Sequence, residues 1–211
     1  MSYSVVIPTV KEEVFLKCVD GIKSKYPIEV IVRNVKNRSA KTEQICKEKG
    51  WKYSYCDDES LAASINYGFR TARHDSLMLM QDDVILTEGQ MDFLFEKYME
   101  SGVALLAPEY TQEHEFDKGH DIIVNPKRND WFMFIISRKM FEEIGSFDTY
   151  FYPYYFEDSD FHNRLKHKGF QAGILTTLVV NHLISQTITK DIVYDSSEIN
   201  ERYWRIRRDK P

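Results

Sequence analysis

Two acidic clusters, Asp82-Asp83 and Glu157-Asp158-Ser159-Asp160, are where the residue types and spacing of this 211-residue chain most readily do chemistry. The first follows directly on Leu77 to Met80, an apolar run that reads as a strand. In an α/β protein the carboxyl ends of the strands border the crevice where ligands bind. Hard divalent cations prefer oxygen ligands, and magnesium uses one or two protein carboxylates with phosphates and waters in its other positions. Two acids at a strand end can therefore hold a cation, and the cation a diphosphate. The same pair also suits a solvated turn or a cap on the following helix. The second cluster opens a helical pattern, where the macrodipole favours acids in the first turn. A carboxylate held firmly at a helix start is equally a candidate general base.

Other residues widen the choice. His182 follows an apolar segment and is either a further metal ligand or a structural hydrogen-bonder. His74, His114, His120, His162 and His167 show no ligand spacing, and His162 and His167 are expected on the exposed face of the helix after Asp158. Tyr150 to Phe156 is nearly all aromatic. It either fills a loop core or forms a platform on which a sugar ring or base stacks. Arg202, Arg205, Arg207 and Arg208, interleaved with Tyr203 and Trp204, form either a solvated helix face or a grip on phosphates.

The elements that must position these residues alternate. Ser4 to Ile7 reads as a strand closed by Pro8-Thr9, and Val14, Phe15, Cys18, Val19 and Ile22 recur at helical spacing. Ile28 to Val32 is a second strand, followed by a polar turn from Asn34 to Ser39 and a helix that Gly50 ends. Trp51 to Tyr55 alternates like a strand. Leu61 to Arg73 carries a helical stripe of Leu61, Ile65, Phe69 and Ala72, contains Asn66 and Gly68, and leads into the strand before Asp82. A helix from about Glu88 to Ser101 and a strand from Val103 to Ala107 complete the first half. Such alternation implies βαβ units and a mostly parallel sheet.

The pattern then loosens. Thr111 to Asp130 reads as loops with a short strand at Ile122 to Val124, and Trp131 to Ile136 as a strand. Lys139 to Ile144 is a short helix, Glu157 to Lys168 a longer one, Ala172 to Leu175 and Leu178 to Val180 are strands, and Ser197 to Ile206 is a helix. One domain with a first half at 1–110 and a mixed second half at 111–211 is expected.

Composition narrows the class. With 43% hydrophobic and 29% charged residues the chain is globular, and its net charge of −5 gives no overall reason to bind nucleic acid or anionic membrane. Val5-Val6-Ile7 is too short for a signal-peptide core, and no segment approaches the ~20 apolar residues that span a bilayer. Cys18, Cys46 and Cys56 have neither metal spacing nor an even count, so a reducing, cytoplasmic setting is expected.

In chain order, from Ser4 to about His182, these segments resemble the family 2 glycosyltransferases with the GT-A fold. Ser4 to Thr9 is similar to the family's opening strand, Ser60 to Gly68 to the segment before the central strand, and Gln81-Asp82-Asp83 to its acidic metal motif. Ile136-Ser137-Arg138 with Ile144 to Asp148 resembles the acceptor-side hallmark, and Glu157-Asp158-Ser159-Asp160 with Arg164 and Gly169 the base motif.

The resemblance implies a Rossmann-type three-layer α/β/α fold and an inverting, metal-dependent transfer of a sugar from a nucleotide-diphosphate donor to an acceptor hydroxyl. Pro8, Thr9, Asn34, Asn66 and Asp82 would contact the nucleotide sugar. Asp83 and His182 would hold Mn2+ or Mg2+. Asp158 would be the base, and Trp131, Tyr155 and Glu157 would meet the acceptor. The acceptor is a glycan or surface polysaccharide, or, on the strength of the basic C-terminus, hydroxylated DNA in viral genome modification.

The chain departs from the family pattern in three places. Asn34 stands where an aspartate usually reads the base, Gln81 opens the acidic motif, and Lys127-Arg128-Asn129-Asp130 lacks the usual glycine. A pyrophosphorylase would need a glycine- and arginine-rich loop where Val10-Lys11-Glu12-Glu13 stands. The remaining alternative is a sugar-nucleotide-binding module without turnover.

Overall fold

The computed structural model describes residues 1–110, 120–126, 131–183 and 190–208. In its first half β1 (Tyr3–Thr9), β2 (Ile28–Val35), β3 (Lys52–Cys56) and β4 (Ser76–Met80) are joined by α1 (Glu12–Cys18), α2 (Ala40–Glu48) and α3 (Leu61–Thr71). Serines start the two longer of these helices: Ser39 accepts from Thr42 N and Ser60 from Ala63 N, each satisfying a donor that the first helical turn leaves open. The second half comprises β5 (Val84–Ile85), α4 (Gln90–Ser101), β6 (Leu105–Tyr110), β7 (Ile122–Val124), β8 (Met133–Ser137), α5 (Arg138–Ile144), α6 (Glu157–His167), β9 (Ala172–His182) and α7 (Lys190–Arg207).

The strands form one sheet in the order β3-β2-β1-β4-β8-β6-β9-β5, with β7 on β9. β1 to β4, β6 and β9 run one way, while β8, β5 and β7 run against them, so the sheet is mostly parallel. Alternation along each strand divides the core into two layers. Val5, Ile7, Met78 and Met80 pack with Phe15 of α1 and Leu94 and Phe95 of α4. Val6, Leu77 and Leu79 pack with Ile65 and Phe69 of α3, Phe141 of α5, and Phe161 and Leu165 of α6. The result is the three-layer α/β/α arrangement, GT-A-like in form. Gly68 permits the close approach of α3 to β1, because a Cβ there would lie 2.2 Å from a Val6 methyl.

Some boundaries differ from the sequence reading. Asn34 lies within β2, which runs to Val35, so it is not part of the turn. The strands expected at Ala172 to Leu175 and Leu178 to Val180 are one strand, β9, because a register shift opposite Pro108 and Glu109 of β6 absorbs the interruption. The final helix starts earlier, at Lys190. β5 has no sequence signature, since two residues cannot display a period, and it exists through its pairing of Val84 with His182 and Ile85 with Asn181. Lys127 to Asp130 and most of the loop from Thr111 lie outside the described residues.

The chain moves outward from β1 to β2 and β3, then returns to β4 on the other flank of β1. The carboxyl ends of β1 and β4 therefore bound a topological switch point, where open α/β sheets bind ligands.

Candidate active site at the carboxyl ends of the strands

Thr9 ends β1, and Asp82 lies two residues beyond the end of β4. Because those strands are neighbours, the Thr9 hydroxyl donates to Asp82 Oδ2 at 2.7 Å. Asp82 and Asp83 are both buried. Pro8 and Asn34 are buried beside Thr9 in the β1–β2 register. The Asn34 amide is heavily committed: it donates to Thr9 O, and its oxygen accepts from Ser39 N and the Tyr53 hydroxyl. Asn66 is likewise engaged, donating to Phe147 O at 2.8 Å and accepting from Phe147 N at 2.9 Å. Both asparagines thus shape the crevice through backbone they hold.

Asp83 meets His182 across the sheet edge. The β5–β9 pairing places Val84 opposite His182, and Leu183 N donates to Asp83 O. Asp83 Oδ1 and His182 Nε2 come within 3.1 Å. Neither atom makes a hydrogen bond, although both are buried. His182 is stacked on Phe132, with ring centroids 4.4 Å apart, which fixes the plane of its imidazole. Two ligands of one small divalent ion, each about 2.1 Å from it and at right angles, would be about 3 Å apart. The orphaned pair therefore fits a cation. Among the described residues there is no cluster of three or more metal-ligating side chains. A cation here would take its other ligands from water and phosphate, as magnesium commonly does.

The second acidic cluster sits at the start of α6. Asp158 Oδ1 accepts from Ser159 N at 2.6 Å, holding the carboxylate at the helix mouth. Glu157 is buried, and its Oε2 has no hydrogen-bond partner. Burial, and then the neighbouring Asp158 charge, push its carboxyl well above the usual range. Trp131 is buried, its indole N–H has no hydrogen-bond partner among the described residues, and its ring lies 5.4 Å from that of His162. Tyr155 is half-buried, in a left-handed backbone conformation.

One expectation fails. His162 is buried against Trp131, not exposed, and burial followed by the Lys166 charge lowers its imidazole to about 4. Of the two readings of the α7 arginines, the solvated helix face describes Arg202 and Arg205, which are exposed. Arg202 pairs with Glu198, Arg205 with Glu201, and Arg207 with Asp148. What reads as a run of positive charge in sequence is compensated by carboxylates, for Arg202 and Arg205 one helical turn away.

Sequence reasoning missed Asn200, and it read Tyr203 and Arg207 as a solvated face or a phosphate grip without placing them in this region. Asn200 is 2% exposed and donates to carbonyls of the aromatic loop, while Tyr203 and Arg207 both reach Asp148. Their helical spacing was the available signal, but an amphipathic stripe does not say what it faces.

A parallel-rich sheet with paired acids at its switch point defines the class: an α/β domain of the GT-A kind. Residues 4–160 match the model of glycosyl transferase family 2, and the chain belongs to that family. Comparison with curated proteins found no match. Among solved structures, that of S. aureus TarS 1-349 is similar with a TM-score of 0.66 and 14% identity, over 86% of this chain and 60% of that one. A longer S. aureus TarS structure gives a TM-score of 0.69 at 14% identity, over 88% of this chain and 37% of that one. The chain thus spans less than two thirds of either neighbour, and at this identity the likeness concerns the fold.

Proposed function

We propose that this domain is a metal-dependent, inverting glycosyltransferase that moves a sugar from a nucleotide-diphosphate donor to a glycan hydroxyl. Family membership supplies the reaction class. The observation that carries the metal-dependent reading is the 3.1 Å contact of Asp83 Oδ1 with His182 Nε2, two buried atoms without a hydrogen bond among the described residues, beside the Thr9–Asp82 hydrogen bond at the switch point.

In this reading Asp83 and His182 hold Mn2+ or Mg2+, which when bound neutralises charge on the departing diphosphate. Thr9 orients Asp82 toward the ribose and diphosphate region. Pro8 and Asn34 shape the base pocket, and Asn66 acts through the Phe147 loop it clamps. Asp158 takes the proton from the acceptor hydroxyl as that oxygen bonds to the anomeric carbon. The bond from that carbon to the diphosphate oxygen breaks on the opposite face, so configuration inverts. Trp131, Tyr155 and Glu157 line the acceptor side, where the unpaired indole N–H and the raised Glu157 carboxyl offer donors to sugar hydroxyls.

A glycan acceptor is favoured over DNA because Arg205 and Arg207 are already paired with carboxylates. Among the described residues no helix is long and apolar enough to cross a membrane.

The test is a thermal-shift panel of nucleoside diphosphates and their sugars, with and without manganese, since a ligand of the folded state raises the melting temperature. The wild-type chain is expected to respond to one nucleotide only with the metal present, and Asp83→Ala to lose that response. A full metal-dependent shift in Asp83→Ala would sink the assignment.

A further inference from the structure

The C-terminal helix lies beyond the residues that the family model matches, yet one face of it grips the segment that carries Asp158. Asn200, Tyr203, Trp204 and Arg207 fall at helical spacing and form a single stripe. Tyr203 donates to Asp148 Oδ2 at 3.0 Å and stacks on Tyr150, and Trp204 packs against Phe156. Arg207 pairs with Asp148 and lies 3.5 Å from Asp160 Oδ1, whose other oxygen takes Arg164 Nε at 2.8 Å. The stripe therefore spans the loop before α6 and the first turn of α6.

Asn200 is the buried member. Its amide nitrogen faces the carbonyls of Tyr152, Tyr154 and Tyr155 at 3.3, 3.0 and 3.4 Å. An amide NH2 has two hydrogens, so these three acceptors share them. The loop needs such a fastening. Tyr155 and Phe156 are consecutive bulky residues at φ of 79° and 69°. L-residues with large side chains resist that region, and such a conformation persists only where the surroundings over-determine it. Three converging carbonyls would also repel one another without a donor between them.

We infer that Asn200 is a positioning residue: by tying down the left-handed Tyr155-Phe156 corner it fixes where α6 begins, and hence where Asp158 points. The kinetic part of this inference rests on the proposed function, whereas the structural part does not. The donor crevice at Thr9, Asp82 and Asp83 is built from other elements and needs no help from α7.

Hydrogen–deuterium exchange on the full chain tests the tie directly, with Asn200→Ala and the equal-sized Asn200→Asp, which has no amide donor. Peptides covering residues 150–160 should exchange at least tenfold faster in either variant, while those of β1 to β4 keep wild-type rates. Unchanged exchange at 150–160, or acceleration spread over the whole chain, overturns the inference. If neither variant folds, Tyr203→Phe loosens the adjacent tie, and unchanged exchange at 150–160 there overturns it too. With a donor found in the thermal-shift panel, Asn200→Ala should lower kcat about tenfold or more and leave the donor KM within twofold. A matching rise in donor KM overturns the positioning role. Local loosening in a chain whose wild type transfers no sugar counts against the functional reading alone.

Discussion

The two sides of the crevice are built on different principles. At the strand ends, secondary structure itself places the side chains: Thr9 and Asp82 meet because β1 and β4 are neighbours, and Asp83 meets His182 because β5 pairs with β9. At the start of α6, side chains hold an irregular segment in place. Asn66 clamps Phe147 from α3, Leu61 N donates to Pro153 O, and α7 holds the loop from the far end. Both places hold buried polar atoms without hydrogen-bond partners among the described residues, Asp83 and His182 in one and Trp131, Glu157 and His162 in the other. An unsatisfied buried group costs stability. The difference therefore lies in the scaffold: neighbouring strands place the first set of side chains directly, whereas the second sits on an irregular segment that contacts from elsewhere fasten.

The largest effect expected from breaking this contrast is at Asp158. Asp158→Asn should lower kcat by about 10²–10⁴-fold, the usual worth of a general base, with calorimetric binding of nucleoside diphosphate and manganese unchanged. Loss of donor binding in that variant would mean that the two sides are not separable.

The region of β1 to β4 should also carry the acid sensitivity. Glu29 is buried at the opposite end of β2, where burial alone would raise its carboxyl. Hydrogen bonds from Lys52, Arg73 N and Ser4 outweigh that and hold it at about 2, against an ordinary 4.5. A folded value below the unfolded one stabilises above pH 4.5 and is lost as pH falls toward 2. The contribution at neutral pH is about 3 kcal/mol. Glu29→Gln should lower the urea midpoint at pH 7 and converge on wild type near pH 2.

Packing in that half predicts a somewhat smaller cost. Gly68→Ala forces Val6 or α3 to move and should destabilise by about 1–3 kcal/mol in the same urea titration, as overpacking does. A neutral result would show α3 to be less tightly seated than its 2.2 Å clearance implies.

An effect opposite in sign belongs to Glu157. Its folded carboxyl titrates above its unfolded value, so ionisation opposes folding and the penalty grows as pH rises above 4.5. Glu157→Gln should therefore melt higher than wild type at neutral pH, with the gain vanishing below pH 4.5. A lower melting temperature at pH 7 would mean that the carboxylate has a partner in solution.

Much of the fold and part of the site are legible in the order of residues alone. Periodicity places most helices and strands, and strand–helix alternation implies the sheet. Asp82, Asp83 and Asp158 stand out only as members of two acidic clusters in a particular order, because single acids are common at turns and helix starts. His162 is misplaced by that reading because a lone histidine on a charged helix looks solvated, and only the packing of Trp131 against it shows otherwise. At the basic C-terminus the sequence leaves two readings open, because charge counting does not reveal that each of Arg202, Arg205 and Arg207 has a carboxylate within reach.

The sequence by itself determined the layers of the fold and the identity of its acids, because local propensity and hydrophobic period are written residue by residue. Only the tertiary structure decided which of those acids meet a histidine, which asparagines are spent on backbone, and what the last helix holds. Those outcomes depend on long-range pairings, such as Val84 with His182 and Asn200 with the Tyr152, Tyr154 and Tyr155 carbonyls. Neither partner in such a pairing carries a local signal of the other.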